Sequence, residues 1–235
     1  MRIAEIFASL QGEGLLAGTP STFIRTSGCN LRCVWCDTPY TSWSPEGETM
    51  SVGDVLAHVS SLAPRHAVVT GGEPILVPEA VELCTALRSE GWHVTVETAG
   101  TVLPATATAI ADLMSISPKL SSSAPATDTA DGWHRRHEAA RRRDEVLRAL
   151  MAAGPYQLKF VIDSPTDLAE ACGWLADLGL ATGGVDPGSV CLMPQGRNAA
   201  ELTRTGAWLE PECRRLGVHF APRHHLAWFG NVRGT

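Results

Sequence analysis

Long apolar runs are missing from this 235-residue sequence, and no uncharged stretch reaches the length of a membrane span, so no membrane role is expected. The first residues, Met1-Arg2-Ile3-Ala4-Glu5, carry an acid and lead to no cleavage site, which excludes a secretory signal at this end. Excess positive charge is also lacking. The net charge is −6, which argues against a nucleic-acid-binding surface over the whole protein. Paired cysteine spacings are absent: the seven cysteines form no even framework, as expected of a reducing, cytoplasmic setting. Cys84, Cys172, Cys191 and Cys213 are scattered in apolar or helical contexts and read as small buried hydrophobes. No internal repeat or low-complexity tract appears. With 44% hydrophobic and 19% charged residues, the chain has enough apolar material for one large core, and a single domain over residues 1–235 is expected.

Against that background one stretch stands out: Gly28-Cys29-Asn30-Leu31-Arg32-Cys33-Val34-Trp35-Cys36-Asp37-Thr38. Its cysteines follow the spacing C-x3-C-x2-C, close enough for all three thiolates to reach one metal centre. An iron–sulfur cube normally takes four cysteines. Three, with no fourth nearby, leave one iron open to another ligand, so the loop reads as a catalytic site and not an electron-transfer site. Zinc is the alternative, but structural zinc usually shows a further Cys or His at short spacing. The next histidine here is His58, beyond a helix start.

Elsewhere strands alternate with helices. Strands are expected at 2–8, 22–26, 66–70, 92–98, 113–117, 156–163, 189–193 and 218–221. Helices are expected at 51–62, 78–90, 104–112, 133–153, 165–178 and 198–216. Ser51 and Asp54 mark one helix start. Such alternation implies an α/β fold: mostly parallel strands curled into an incomplete, TIM-like barrel, with ligands at the strand C-terminal ends. The small, polar, proline-bearing stretch 120–129 reads as a surface loop, with a lid as the less favoured reading. The arginine-rich helix at 133–153 has acids interleaved and reads as a solvated face.

Several residues carry chemistry by type and place. Gln11 and Glu13, in a Gly-rich loop after the first strand, offer an amide and a carboxylate to a purine or pterin edge. Arg25 sits inside an apolar strand, where a guanidinium needs an anion: either a substrate carboxylate or a core acid such as Glu5. Gly71-Gly72-Glu73-Pro74 follows a strand directly, so backbone groups there can meet a ligand and Glu73 can accept from an ammonium. Thr70 and Glu97 end strands at the expected ligand mouth, and Lys159 lies in an apolar strand. The tail over 221–235 is apolar and aromatic and is expected to dock near the site.

C-x3-C-x2-C followed by GGEP resembles the radical S-adenosylmethionine (SAM) superfamily. The words Ser9-Leu10-Gln11-Gly12-Glu13-Gly14, Phe23-Ile24-Arg25 and Cys36-Asp37-Thr38 are similar to those of the 7-carboxy-7-deazaguanine synthases within it. The resemblance runs to about Lys119 and returns weakly at the C-terminus. It implies a radical SAM type of partial barrel and a [4Fe–4S] cluster on Cys29, Cys33 and Cys36. It implies SAM contacts from Trp35, Asp37, Gly71, Gly72, Glu73, Glu97, Ser117, Pro118 and Lys119. The implied substrate contacts are Leu10, Gln11, Gly12, Glu13, Arg25, Thr70 and His225 (or His224), and Thr38 would help hold Mg2+. Ala99 departs from the family's Asn. The implied reaction is radical ring contraction of a carboxylated tetrahydropterin with loss of ammonia. A flavodoxin or ferredoxin donor and a homodimer are implied partners. The rival readings are a glycyl-radical activase, which would not need Gln11, Glu13 and Thr38, and a non-catalytic metal or redox module.

Overall fold

The structure is a computed structural model that describes residues 1–106, 109–127, 131–230 and 232–235. The strands are β1 (Arg2–Leu10), β2 (Pro20–Thr26), β3 (Glu48–Thr49), β4 (His66–Gly71), β5 (His93–Thr98), β6 (Leu113–Ile116), β7 (Tyr156–Ile162), β8 (Val190–Pro194) and β9 (His219–Phe220). The helices are α1 (Pro39–Ser42), α2 (Val52–Ser60), α3 (Pro78–Ser89), α4 (Trp133–Arg141), α5 (Asp144–Ala152), α6 (Pro165–Leu178), α7 (Ala199–Leu216) and α8 (His224–Phe229).

All nine strands form one sheet in the order β3-β1-β2-β4-β5-β6-β7-β8-β9. β1 pairs antiparallel with β2 and β3, and every pairing from β2 to β9 is parallel. The first and last strands of that order do not pair, so the sheet is an open, partial barrel. Parallel strands need crossover helices, and the helices here bury one face of the sheet. Ile24, Val69, Val96, Ile116 and Leu158 pack in one core with Val55, Leu83, Leu147, Leu168 and Leu209 from those helices.

Side chains alternate across a strand, so the opposite face carries every second residue. That face is polar. Arg25 stands opposite Thr70, Glu97 opposite Ser115, and Ser115 opposite Gln157. Hydrogen bonds knit this row together: Thr70 donates to Glu97 at 2.8 Å and Gln157 to Ser115 at 2.7 Å. The same period of two thus gives the barrel an apolar outer face and a polar inner face.

Helix starts follow local chemistry. Ser51 and Asp54 make a reciprocal capping box on α2, and Ser164 and Asp167 do so on α6. Two expectations fail. The helix expected at 133–153 breaks into α4 and α5, with Arg142 extended and Arg143 also non-helical. Competing side-chain bonds explain it. Arg142 is held by Asp144 and Asp177 and lies over the Trp174 ring, whose indole N–H donates to Asp144 at 2.8 Å. The helix expected at 104–112 is absent among its described residues, and residues 107–108 lie outside them. There Asp112 accepts from the Val94 amide and from Arg88, fixing an irregular connection. Of the 120–129 loop, residues 121–123 form a tight turn with Ser123 buried, and residues 128–129 lie outside the described residues. No helix among the described residues is long and apolar enough to cross a membrane.

At the end of the sheet away from the ligand mouth, His66 is buried with both ring nitrogens engaged: Nδ1 at 2.8 Å from Ser21 Oγ and Nε2 at 2.8 Å from Thr95 Oγ1. Burial lowers its pKa to about 4, with the neighbouring His93 adding to the effect. The unfolded chain would bind this proton near the ordinary histidine value, so stability is full above that value and is lost as pH falls toward 4. The denaturation midpoint in urea should therefore fall between neutral pH and pH 5. His66→Gln should flatten that dependence, and an unchanged slope in the variant would contradict the assignment.

Candidate active site

A cavity of about 520 Å³ opens at the C-terminal ends of the parallel strands. Cys29, Cys33 and Cys36 line it together with residues from every part of the chain. Apart from Glu73 and Pro118, each residue singled out from the sequence as a site candidate borders this one space.

The glycines shape its floor. Gly71 has φ +118°, and a Cβ there would stand 2.2 Å from the Thr26 carbonyl. A Cβ on Gly72 would stand 2.0 Å from the Gly28 carbonyl. The backbone after β4 therefore lies directly against the start of the cysteine loop, and only glycine permits that approach. Glu73 stands behind this floor and is not among the lining residues. It is fully buried, with its carboxylate accepting from the Thr98 hydroxyl and the Ala99 amide, both at 2.8 Å, and from the Ile75 amide at 3.2 Å. Burial raises its pKa against these bonds. It ties the turn to β5 and does not reach the cavity, because the backbone there turns it toward β5. Pro118 also faces away from the cavity, while its neighbours Ser117 and Lys119 line it, with Lys119 donating to Ser117 at 2.8 Å.

At one end of the cavity the polar row of the sheet is exposed to ligand. Glu97 accepts from Thr70 and from Gln11 Nε2 at 3.2 Å. This sets Glu97 with the residues expected to meet substrate. Arg25 lies beside the ring of Phe7, with Phe23 also in reach. Its Nε is 2.9 Å from Glu5 Oε1, yet the N–H does not point at the oxygen and makes no hydrogen bond. Among the described residues neither terminal nitrogen of Arg25 has a hydrogen-bond partner. Both sequence alternatives for Arg25, core acid and cavity, thus meet at one side chain. Tyr40 donates to the same Glu5, and burial followed by that bond pushes its phenol up to about 12.

Glu13 is the electrostatic centre. Lys159 Nζ is 2.5 Å from one oxygen, Arg223 Nε 3.2 Å from the other, and His225 Nδ1 lies at 3.8 Å. Burial alone would raise its pKa, but Lys159, Arg223 and His225 outweigh it and hold the carboxyl well below the usual range. Arg223 also reaches Asp37 at 2.6 Å and the Gly196 carbonyl at 2.8 Å. It was missed in the sequence because nothing in Pro222-Arg223-His224-His225 distinguishes a buried arginine from a solvated one. The adjacent histidines separate clearly. His225 sits on Gly12, where an added Cβ would come within 2.5 Å of it, and lines the cavity. His224 stacks on Trp228, with ring centroids 5.1 Å apart.

At the other end Trp35 packs with Val161, Cys191, Met193 and Ala221 into a separate apolar wall. Thr38 lines the cavity beside Cys36, accepting from the Thr41 hydroxyl at 3.1 Å. Among the described residues these three are the only cysteines that border the cavity. Three thiols on one loop, facing one space, are a donor set that fits an iron–sulfur cluster. Burial pushes the Cys29 thiol up to about 11 and the Cys33 thiol up to about 12, so loading iron must displace their protons.

Residues 23–166 match the Radical SAM superfamily. The chain is 44% identical over 234 residues to a 7-carboxy-7-deazaguanine synthase of Rhodopirellula baltica, covering 99% of this chain and 88% of that one. It is 45% identical to a 7-carboxy-7-deazaguanine synthase of Halobacterium salinarum, covering 99% and 92%. Among solved structures, QueE from Escherichia coli superposes with a TM-score of 0.69 over 95% of this chain and 94% of that one, at 24% identity. Streptococcus suis SuiB bound to S-adenosylmethionine gives 0.56 over 88% of this chain and 51% of that one, at 12% identity. These two likenesses speak for the fold.

In cluster-free protein at about pH 7.5, iodoacetamide should label Cys29 and Cys33 slowly, because the thiolate is the reactive form. Labelling should accelerate as pH rises toward 11, as read by peptide mass mapping. A rate at about pH 7.5 equal to that of free cysteine would contradict the burial effect.

Proposed function

The chain belongs to the 7-carboxy-7-deazaguanine synthases of the radical SAM superfamily, and from that membership we propose how its cavity is divided between two ligands. The relatives' names give the product, 7-carboxy-7-deazaguanine; the reaction in this reading starts from 6-carboxy-5,6,7,8-tetrahydropterin and releases ammonia. A [4Fe–4S] cluster and SAM are its cofactors, and a one-electron donor must supply the cluster. When bound, the reduced cluster and SAM supply a carbon-centred radical able to take a hydrogen atom from substrate. The single observation that supports the division is that one cavity gathers the cysteine loop at one end and the polar row of the sheet at the other.

In this reading Cys29, Cys33 and Cys36 hold the cluster. The backbone of Gly71 and Gly72, with Ser117 and Lys119, meets the methionine part of SAM. The apolar wall of Trp35, Val161 and Met193 suits a flat adenine, with the backbone at Asp37 beside it. Substrate lies at the other end. The terminal nitrogens of Arg25 have no hydrogen-bond partner among the described residues and are free to fork a carboxylate. Gln11, Glu97 and Thr70 offer alternating donors and acceptors to the pterin edge, and Glu13, kept ionised by Lys159 and Arg223, accepts from its N–H groups. Leu10 and Gly12 close one side and His225 the other. Thr38 offers one hard oxygen to Mg2+, with substrate and water supplying the rest. These residues position substrate, hold its charge and exclude water.

A flavodoxin or ferredoxin is the proposed donor. The exposed Trp228 and Phe229 favour a homodimer. Residues 1–235 act as one cytoplasmic domain in this reading, with the tail completing the site.

Anaerobic turnover of reconstituted protein with SAM, Mg2+, reductant and 6-carboxytetrahydropterin should yield a product lighter by one ammonia in mass spectrometry. Cys33→Ala should abolish both that product and 5′-deoxyadenosine. Arg25→Lys should keep SAM cleavage but lower kcat/KM for the pterin by roughly 10- to 100-fold, the loss of one forked charge-assisted contact. SAM cleavage without the ring-contracted product in the unaltered protein would overturn the substrate assignment. An Arg25→Lys protein with unaltered kcat/KM would remove Arg25 from the substrate site.

A further inference from the structure

The cysteine loop has no regular secondary structure between Ser27 and Asp37, so something outside it must set where Cys33 stands. Two backbone amides flank that cysteine. The Arg32 N–H donates to His137 Nδ1 at 3.1 Å, and the Val34 N–H donates to the Ser123 carbonyl at 3.0 Å. His137 and Ser123 are both wholly buried and are joined to each other, with His137 Nε2 at 2.9 Å from Ser123 Oγ. One buried pair therefore grips the chain on both sides of a cluster ligand. The Arg32 side chain reinforces the grip: it donates to the Cys29 and Leu31 carbonyls, both at 2.8 Å, and lies over the Trp133 ring of α4 at 4.0 Å.

The bonding fixes the histidine's proton. A backbone N–H can only donate, so Nδ1 must be the acceptor and Nε2 must carry the hydrogen. Nε2–H then donates to Ser123 Oγ. The Ser123 hydroxyl is left with its own hydrogen, which in this structure goes to the Leu120 carbonyl at 2.7 Å.

We propose that His137, in the Nε2–H form, and Ser123 are positioning residues for the iron–sulfur cluster: together they hold Cys33 in place from both sides. This rests on the cluster assignment above. Groups behind a metal ligand orient it and so tune the metal it holds, and releasing Cys33 should therefore move the cluster's potential. His137 must stay neutral to accept from Arg32. Burial lowers its pKa to about 4, which keeps it neutral across the working range.

Two measurements test this, and neither needs turnover. In cluster-free protein, hydrogen exchange at the Arg32 amide should speed up about tenfold in His137→Ala, the effect of losing one ordinary bond, while core strand amides stay as they were. His137→Gln, which keeps an acceptor and a donor on one side chain, should restore part of the protection. In reconstituted protein, EPR-monitored titration should give a shifted cluster potential for Ser123→Ala and for His137→Ala. The double variant should shift little beyond either single, because the two act as one unit. Variants with full iron and sulfide but an unshifted potential would overturn the hold on the cluster. Unchanged Arg32 exchange in His137→Ala would overturn the positioning role. An unaltered protein that loads no iron at all would instead undo the cluster assignment, while leaving the exchange result readable.

Discussion

One half-buried carboxylate, Glu13, ties the molecule together. It stands between Lys159 from the sheet interior and Arg223 from the C-terminal segment, and Arg223 continues to Asp37 at the end of the cysteine loop. Burying charges costs several kcal/mol each unless they are paired. Remove Glu13 and Lys159, itself buried, is left without its ion-pair partner. The N-terminal loop, β7, the cysteine loop and the tail are thereby held to a common geometry. No hydrophobic contact could impose this, because apolar packing tolerates sliding where a fork of hydrogen bonds does not. The tail is consequently part of the site wall: His225 on Gly12, and the His224 amide donating to the Gly12 carbonyl at 2.9 Å, follow from where Arg223 is fixed.

The sheet supplies the second constraint. Parallel strands covered by helices are usually apolar on both faces. Here only the helix-facing residues are consistently so. The inner residues at the C-terminal ends of the strands are Arg25, Thr70, Glu97, Ser115 and Lys159, and the register brings most of them level with one another. Such a face would be unstable as a closed core. It is stable because its polar atoms bond to each other and to the loop carrying Gln11. The open edge between β3 and β9 leaves room for a cavity that a complete barrel interior, filled by side chains, would not have.

Much of this was legible in the sequence, and the pattern of failures is physical. The cysteine spacing, the glycines after β4 and the strand–helix alternation are local signals, and the structure brings the residues they mark to one cavity. Signals that depend on a partner far along the chain were not readable. Arg223 looks like any tail arginine until Glu13, 210 positions away, is placed beside it. Glu73 looks like a ligand-facing acid because its motif is exposed in sequence, but the turn directs it into Thr98 and Ala99. The α4–α5 break is invisible to periodicity, since it comes from Asp144 being claimed by Trp174 on α6. His137 gave no sequence signal beyond its presence in an arginine-rich helix. In Sequence terms Arg25 had two candidate anions, and the structure shows why choosing was hard: the side chain is beside Glu5 without being hydrogen-bonded to it.

The charges bordering the cavity can be followed one by one, and the outcome bears on the ligands. Lys159 and Arg223 are committed to Glu13 and Asp37, and Arg233 to Glu5 and Glu46. Glu97 has both oxygens engaged by neutral donors. Two cations then remain without a hydrogen-bonded carboxylate among the described residues: Arg25 beside the polar row and Lys119 beside Trp35. Both line one space, and Arg25 keeps its terminal nitrogens free although its Nε stands beside Glu5. SAM and a carboxylated pterin each bring one carboxylate, so two such cations suit two such ligands. A single polypeptide substrate, as a glycyl-radical activase would need, gives no reason for a second anion site beneath a docked tail. Charge pairing thus agrees with the proposed division of the cavity, whose two ligands are those of the family.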